Sequence, residues 1–480
     1  MPWRETLSPV RMERVALVAP LEARHEMLTE VARSDAVELE LPYEPGTGPE
    51  EFDRAAEASV VHGPVAALVG WSPSRALPDL QAALEPHGAS AVVIRRPRGV
   101  EPPTLLTGDE PRRQQVPALS RLLVDTYTTV PYADLDPARI AGVAYVVMFG
   151  MMFGDAGQGA LLAIAGLLIR FLKVPWLERF RRTWLFITGA GVAAVFFGFL
   201  YGEFFGPTGV IPVLWLEPLE EPIPLLVAAV VLGAVLLAGS YTLGTINRVR
   251  EGGWGYALYA RSGLAGALLF AAVGLVAWGL LASSTVILVI AALAALIALV
   301  LMFIGLFTES GGGATGGLQA SVELVDSVVQ LGSNLVSFAR LAAFGLTHAA
   351  LMMVVWQATS ALWAPDWRAV LAILVFLIGN ALTFALEGLV AGIQALRLEY
   401  YELFSRVFQD EGRRFRPWNP FAGGSSAAGK ASGGGKASGR GKASGRGKAA
   451  GTGPEPSEHH GASAQPGPLH SSASVERHHP

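Results

Sequence analysis

TVILVIAALAALIALVLMFIGLF, residues 285–307, carries no charged side chain, and its only hydroxyl is at the first position. A helix of that length covers about 35 Å, enough to cross a hydrocarbon core of about 30 Å. The stretch therefore reads as a membrane-spanning helix. Working outward from it, further apolar runs lie near residues 139–154, 157–172, 183–205, 222–246 and 256–282, and then near 322–356 and 367–404. The expected membrane domain is thus all-α and polytopic, with about eight transmembrane helices. The last two runs are too long for a perpendicular crossing, so they are expected to tilt or to project from the bilayer.

Composition agrees with a membrane domain flanked by polar segments. The chain is 51% hydrophobic and only 16% charged, where soluble domains run near a quarter charged. Most charges fall in residues 1–138 and 406–480, leaving 139–405 as the expected transmembrane domain. Residues 1–138 read as a small cytoplasmic α/β (α+β) lobe. VALVAP (15–20), AALVG (66–70) and SAVVIRRP (90–97) look like buried strands, and LEARHEMLTEVARS (21–34) and SRALPDLQAALEPHG (74–88) have helical apolar spacing. From about residue 420 the chain is low-complexity. KASGGGKASGRGKASGRGKA (430–449) cannot bury a core, so this part of the C-terminal segment is expected to be disordered. Its basic repeat could at most attract anionic membrane lipids.

Several function classes drop out. A net charge of −4 and the lack of a basic, aromatic-interleaved patch argue against nucleic acid. With no cysteine, thiolate metal sites, disulfides and cysteine nucleophiles are excluded. The tail histidines His459, His460, His470, His478 and His479 are too scattered for a metal site, and no cofactor is implied. GGGATGGLQAS (311–321) is glycine-rich but lacks the lysine of a phosphate loop, and reads as a flexible cytoplasmic loop.

Loop charge sets the orientation. Arg170, Lys173, Arg179, Arg181, Arg182, Arg248 and Arg250 lie in loops on the N-terminal side. WLEPLEEP (215–222) and SALWAPDW (360–367), on the other side, hold acids and no base. Eight crossings then leave both termini in the cytoplasm, and MPWRETLSPVRMERVALVAP has no apolar core of signal-peptide length.

Charged groups deep within spans cost several kcal/mol, so each is a functional candidate. Three stand out, each on a polar stripe of helical period. Ser333, Ser337, Arg340, Phe344 and Thr347 share one stripe, with His348 beside it. Asn380, Thr383, Glu387, Gln394, Arg397 and Tyr401 share the next. The bland reading pairs an arginine with Glu387 as interhelical glue. Two such stripes together suggest a water-accessible path against another protein surface. His348 alone could equally be a packing residue.

The same residues carry a resemblance. ELVDSVVQLGSNLVSFARLAAFGLTHAAL (323–351) resembles the signature helix of the membrane stator subunit of V-type and A-type rotary ATPases, called subunit a or subunit I. NALTFALEGLVAGIQALRLEYYELFSRVFQDEGRRFRPW (380–418) resembles that family's closing helix, and FGMMFGDAGQG (149–159) its first hairpin. DTYTTVPYADLDPARI (125–140), RMERVALVAP (11–20) and ALVGWSP (67–73) are also similar in character. The likeness runs from about residue 11 to 420. It implies a subunit of a proton-transporting ATPase or ATP synthase, with nucleotide chemistry on other subunits, in a prokaryotic cell membrane. The implied partners are a proteolipid c-ring and the peripheral-stalk and central-stalk subunits. Arg340 aligns with the family's essential arginine. By the same resemblance Glu387 lines one half-channel, Arg397 supports the ring contact, and Ser337, Asn334 and His348 are auxiliary polar groups. One departure is large: PYEPGTGPEEFDRAAEAS (42–59) offers no heptads where family members carry long coiled coils. A stand-alone secondary transporter or ion channel would explain the buried charges but not the two overlong helices. A non-conducting scaffold is a third reading.

Overall fold

The computed structural model describes residues 8–97, 100–106, 119–172, 183–408 and 412–421. The basic residues expected at 173–182 and the low-complexity tail lie outside these.

The first elements form a small sheet with helices on it. Strands β1 (Met12–Pro20), β2 (Glu38–Leu39), β3 (Val60–His62), β4 (Val65–Pro73) and β5 (Ser90–Val93) pair in the order β2-β4-β1-β5, with β3 also on β4. Val15 faces Gly70 on one side and Val93 on the other, and every pairing is antiparallel. The lobe is thus α+β, and the alternation of strands and helices does not produce a parallel sheet. Helices α1 (Arg24–Ser34), α2 (Glu50–Glu57) and α3 (Leu77–Leu84) cover it, burying Met27, Leu28, Val31, Phe52, Leu80 and Leu84 against Val15 and Leu17.

The lobe is completed from the far end of the chain. Trp418 is 2% exposed inside this core. Its backbone N–H donates to Val37 O at 2.7 Å and its Nε1 donates to Glu51 Oε1 at 3.3 Å. Phe415 packs with Met12, Trp71 and Leu105, and Arg413 pairs with Glu38. The stretch 412–421 therefore straps the last membrane helix to the sheet.

After α4 (Leu119–Tyr127) come two short apolar helices, α5 (Ala138–Met152) and α6 (Ala156–Phe171). Among the described residues, six helical runs are long and apolar enough to cross a membrane: Trp184–Tyr201, Pro222–Tyr259, Leu264–Leu281, Thr285–Glu309, Gly313–Leu362 and Arg368–Val407. Their elements are α7 (Trp184–Tyr201), α8 (Pro222–Tyr259), α9 (Leu264–Leu281), α10 (Thr285–Glu309), α11 (Gly313–Ser337), α12 (Ala339–Leu362) and α13 (Arg368–Leu398). These helices are apolar around most of their surface yet leave large side chains uncovered, including Val289, Leu296 and Leu377 at more than half exposure. Water does not tolerate such belts, and lipid does. The chain is a multi-pass membrane protein.

Of the expected crossings, the first two fall on α5 and α6, which at 15 and 16 residues are shorter than the other spans. The two overlong segments are longer than the sequence suggests. α11 and α12 form one run of 50 residues, and α13 continues through a wider π-type turn at Glu399–Phe404 into a run of 40. At 1.5 Å per residue these reach about 75 and 60 Å. The glycine-rich segment expected as a loop shrinks to a turn. Gly311, Gly312 and Gly313 take positive φ, and the helix starts at Gly313. Three glycines suffice to reverse the chain because they alone enter the left-handed region at no steric cost.

Candidate functional site

Two polar groups lie along α12 and α13. The group nearer the 362–368 turn is built around His348 and Glu387. His348 Nδ1 meets Glu387 Oε2, and the imidazole is 2% exposed against the Phe153 ring, with centroids 4.9 Å apart. His348 sits on the buried side of α12, while Ser333 and Thr347, on the stripe read from the sequence, are exposed.

Two acids overlooked in the sequence reading complete this group. Asp155 caps α6: its Oδ1 accepts from the backbone N–H of Gln158 at 2.8 Å and of Phe205 at 3.0 Å, and its Oδ2 from that of Gly206 at 2.7 Å. It thereby ties the α5–α6 hairpin to the loop after α7, and that loop brings in Glu203, 5% exposed. One ligand-capable atom from each of Asp155, Glu203 and His348 lies within 4.8 Å of the others. Gln158 Nε2 donates to Asn380 Oδ1 at 3.1 Å, joining α6 to α13. An acid in FGMMFGDAGQG, between apolar runs, was the visible signal for Asp155. Glu203 carried none, because its partners come from three distant segments.

The second group surrounds Arg340. Its Nη1 donates to Gln394 Oε1 at 3.4 Å, and its side chain is only half-buried. Arg397 is exposed and near enough for the two cations to repel. Glu402, on the π-type turn, bears on both arginines and lies within hydrogen-bonding reach of Ser337. Asn334, in the amide orientation that suits its neighbours, accepts from Arg406 Nη2 at 3.0 Å and donates to Gln330 O. Of the sequence-predicted residues, then, Glu387 and His348 come together, Ser337 and Arg397 cluster around Arg340 with Glu402, and Asn334 is drawn toward Arg406. Eight residues separate Arg340 from His348, about 12 Å along the helix.

Packing fixes where Arg340 sits. Phe338, fully buried, marks the junction of α11 and α12. It lies so close to Gly233 of α8 that a Cβ there would fall 2.2 Å from its Cγ. The bare glycine lets the ring seat, and the ring holds the turn that carries Ser337 and Arg340.

Where the lobe meets the membrane helices, Asp134 is fully buried. Arg248 Nη1 lies 2.7 Å from Glu251 Oε2, but Arg248 Nη2 is 3.9 Å from Asp134. Burial first, and then the neighbouring Glu251 carboxylate, push Asp134 up to about 8. Asn247 accepts from Leu135 N–H at 3.0 Å, and Arg121 pairs with Asp136, closing the neck between lobe and membrane.

Arg340 thus lies half-buried between polar groups on the two longest helical runs. Residues 60–211 match the model of the V-type ATPase 116kDa subunit family. The chain is 27% identical to the A-type ATP synthase subunit I of Thermococcus kodakarensis over 73% of this chain and 54% of that protein. It is 29% identical to the subunit of the same name from Archaeoglobus fulgidus over 73% of this chain and 58% of that one. A V-type ATP synthase subunit I 2 from Treponema pallidum is 31% identical over 29% of this chain and 32% of its own length. The chain spans about half the length of the archaeal relatives it matches.

Proposed function

We propose that this chain is the membrane stator subunit of an A-type or V-type ATPase, and that Arg340 governs ion passage between it and a rotating ring of proteolipid subunits. The observation that carries the reading is Arg340 itself. It is a half-buried cation in a membrane helix, held toward α13 by Gln394, on a face that Ser333, Ala343 and Thr347 leave exposed. An arginine stays protonated when desolvated. A ring carboxylate passing it is held ionised, and the fixed positive charge keeps protons from crossing directly between two half-channels. Glu387 and His348 line the half-channel on the far side. Ser337, Glu402 and Asn334 line the approach from the cytoplasm, and Arg397 supports the ring contact. The α5–α6 hairpin and the six longer runs together make eight crossings, with both termini cytoplasmic and the lobe meeting the stalk subunits. The transported ion is the proton, and the membrane is a prokaryotic cell membrane.

The chain contains no cysteine, so single cysteines report cleanly. In the assembled complex, Val336→Cys and Ala343→Cys should form disulfides with cysteines placed at mid-membrane in the proteolipid. Val289→Cys, exposed on α10, should not. Absence of cross-links from both positions on α11 and α12 would favour a stand-alone transporter.

A further inference from the structure

The hairpin–loop pocket at the far end of the membrane domain has an unused coordination set. Asp155, Glu203 and His348 are all buried, and each offers a ligand atom within 4.8 Å of the other two. Clusters of acids alone are common, but here two side chains more than nine-tenths buried end in atoms with no partner among the described residues: Glu203 Oε2 and His348 Nε2. Burying such groups unpaired is costly, so the arrangement calls for something to bind.

We propose that Asp155, Glu203 and His348 form a binding site for a divalent transition-metal ion of the zinc type. The donor set decides the class. A neutral imidazole with carboxylates suits Zn2+ and its first-row neighbours, whereas Ca2+ and Mg2+ take oxygen alone. Glu387 occupies His348 Nδ1. That is the orientation in which a carboxylate fixes an imidazole for metal binding through its other nitrogen. Phe153 restrains the same ring from its face. Asp155 is the most committed ligand, since its Oδ1 already accepts two backbone N–H groups, but Oδ2 accepts only one and keeps a lone pair. Three further carboxylates, Asp155, Glu387 and Glu217, bear on Glu203 against the single imidazole. Glu220 and Glu221, exposed on the same loop, add negative charge that attracts cations. A bound ion would immobilise His348 and, through it, Glu387, so on the stator reading it would also obstruct the far half-channel.

The test is metal binding to the purified full-length chain in detergent, which does not depend on pumping. His459, His460, His470, His478 and His479 are replaced by alanine so that the tail does not compete. Co2+ should bind at one equivalent and give the intense visible bands of a four- or five-coordinate site with a nitrogen ligand, and Zn2+ should displace it. His348→Gln and Glu203→Gln should each abolish those bands. Glu387→Gln, acting only through the imidazole, should weaken Zn2+ binding by about 10–100-fold, and Asp134→Asn should leave it unchanged. Weakly absorbing all-oxygen Co2+, displacement by millimolar Mg2+ or Ca2+, or binding that survives both ligand substitutions would overturn the proposal. The spectrum of the parent chain decides even if a variant fails to fold.

Discussion

Arg340 on α12 donates to Gln394 on α13 at 3.4 Å, joining residues 54 positions apart across the two longest helical runs. Among the described residues no carboxylate pairs with this arginine in a salt bridge, whereas Glu387 is engaged with His348 one polar group away. The bland alternative, an Arg340–Glu387 clamp, is therefore not how these helices are held. A guanidinium bound by one neutral amide keeps most of its donors open to a passing anion.

The C-terminal strap should be a structural part of the lobe. Trp418 is buried in its core and T-stacks on Phe52 at 5.2 Å. Trp418→Ala should destabilise the lobe by about 3–5 kcal/mol, as buried Trp deletions do. Hydrogen exchange of β1, α1 and α2 in the full-length protein would read this as faster exchange there. Unchanged protection would mean that the strap merely rests on the lobe.

Phe338 and Gly233 should be energetically coupled. Gly233→Val would force the ring out of its seat and cost about 1–3 kcal/mol. Adding Phe338→Ala should recover part of that loss, giving a positive interaction in a double-mutant cycle of thermal unfolding. Simple additivity of the two substitutions would contradict the packing described.

Most of the lobe's strands and helices were legible because VALVAP, AALVG and SAVVIRRP are short apolar runs bounded by polar helical segments. Their pairing was not, since periodicity says which face is buried and nothing about strand direction. The membrane runs were legible from apolar length, and Arg340, Glu387 and Arg397 from the cost of charge in lipid. Asp155 and Glu203 were missed because four segments bring their pocket together. Trp418 was hidden for a different reason: Phe415 and Trp418, set among Arg413, Arg414, Arg416 and Pro417, have no sustained period to reveal a buried face.

The neck should loosen as pH rises. Asp134 binds its proton more tightly when folded, at about 8, than an unfolded aspartate at about 4. Protonated Asp134 therefore contributes stability that is fully present below about pH 4 and lost as pH climbs through the folded value. Asp134→Asn should flatten this dependence and protect the neck relative to wild type above about pH 8. The readout is hydrogen exchange of residues 130–138 across that range. An Asn variant with the same pH profile as wild type would remove Asp134 as the cause.

The measurement that bears most directly on the central claim is ATP-driven ion uptake in vesicles containing the assembled complex, with ring retention measured in parallel. Arg340→Gln should reduce uptake to background while the ring co-purifies as in wild type. Arg340→Lys should be severely impaired, because lysine can lose its proton when desolvated, and Arg397→Gln should be milder. Uptake near the wild-type rate in an assembled Arg340→Gln complex would contradict the account. So would failure of that variant to accumulate, which would make Arg340 structural.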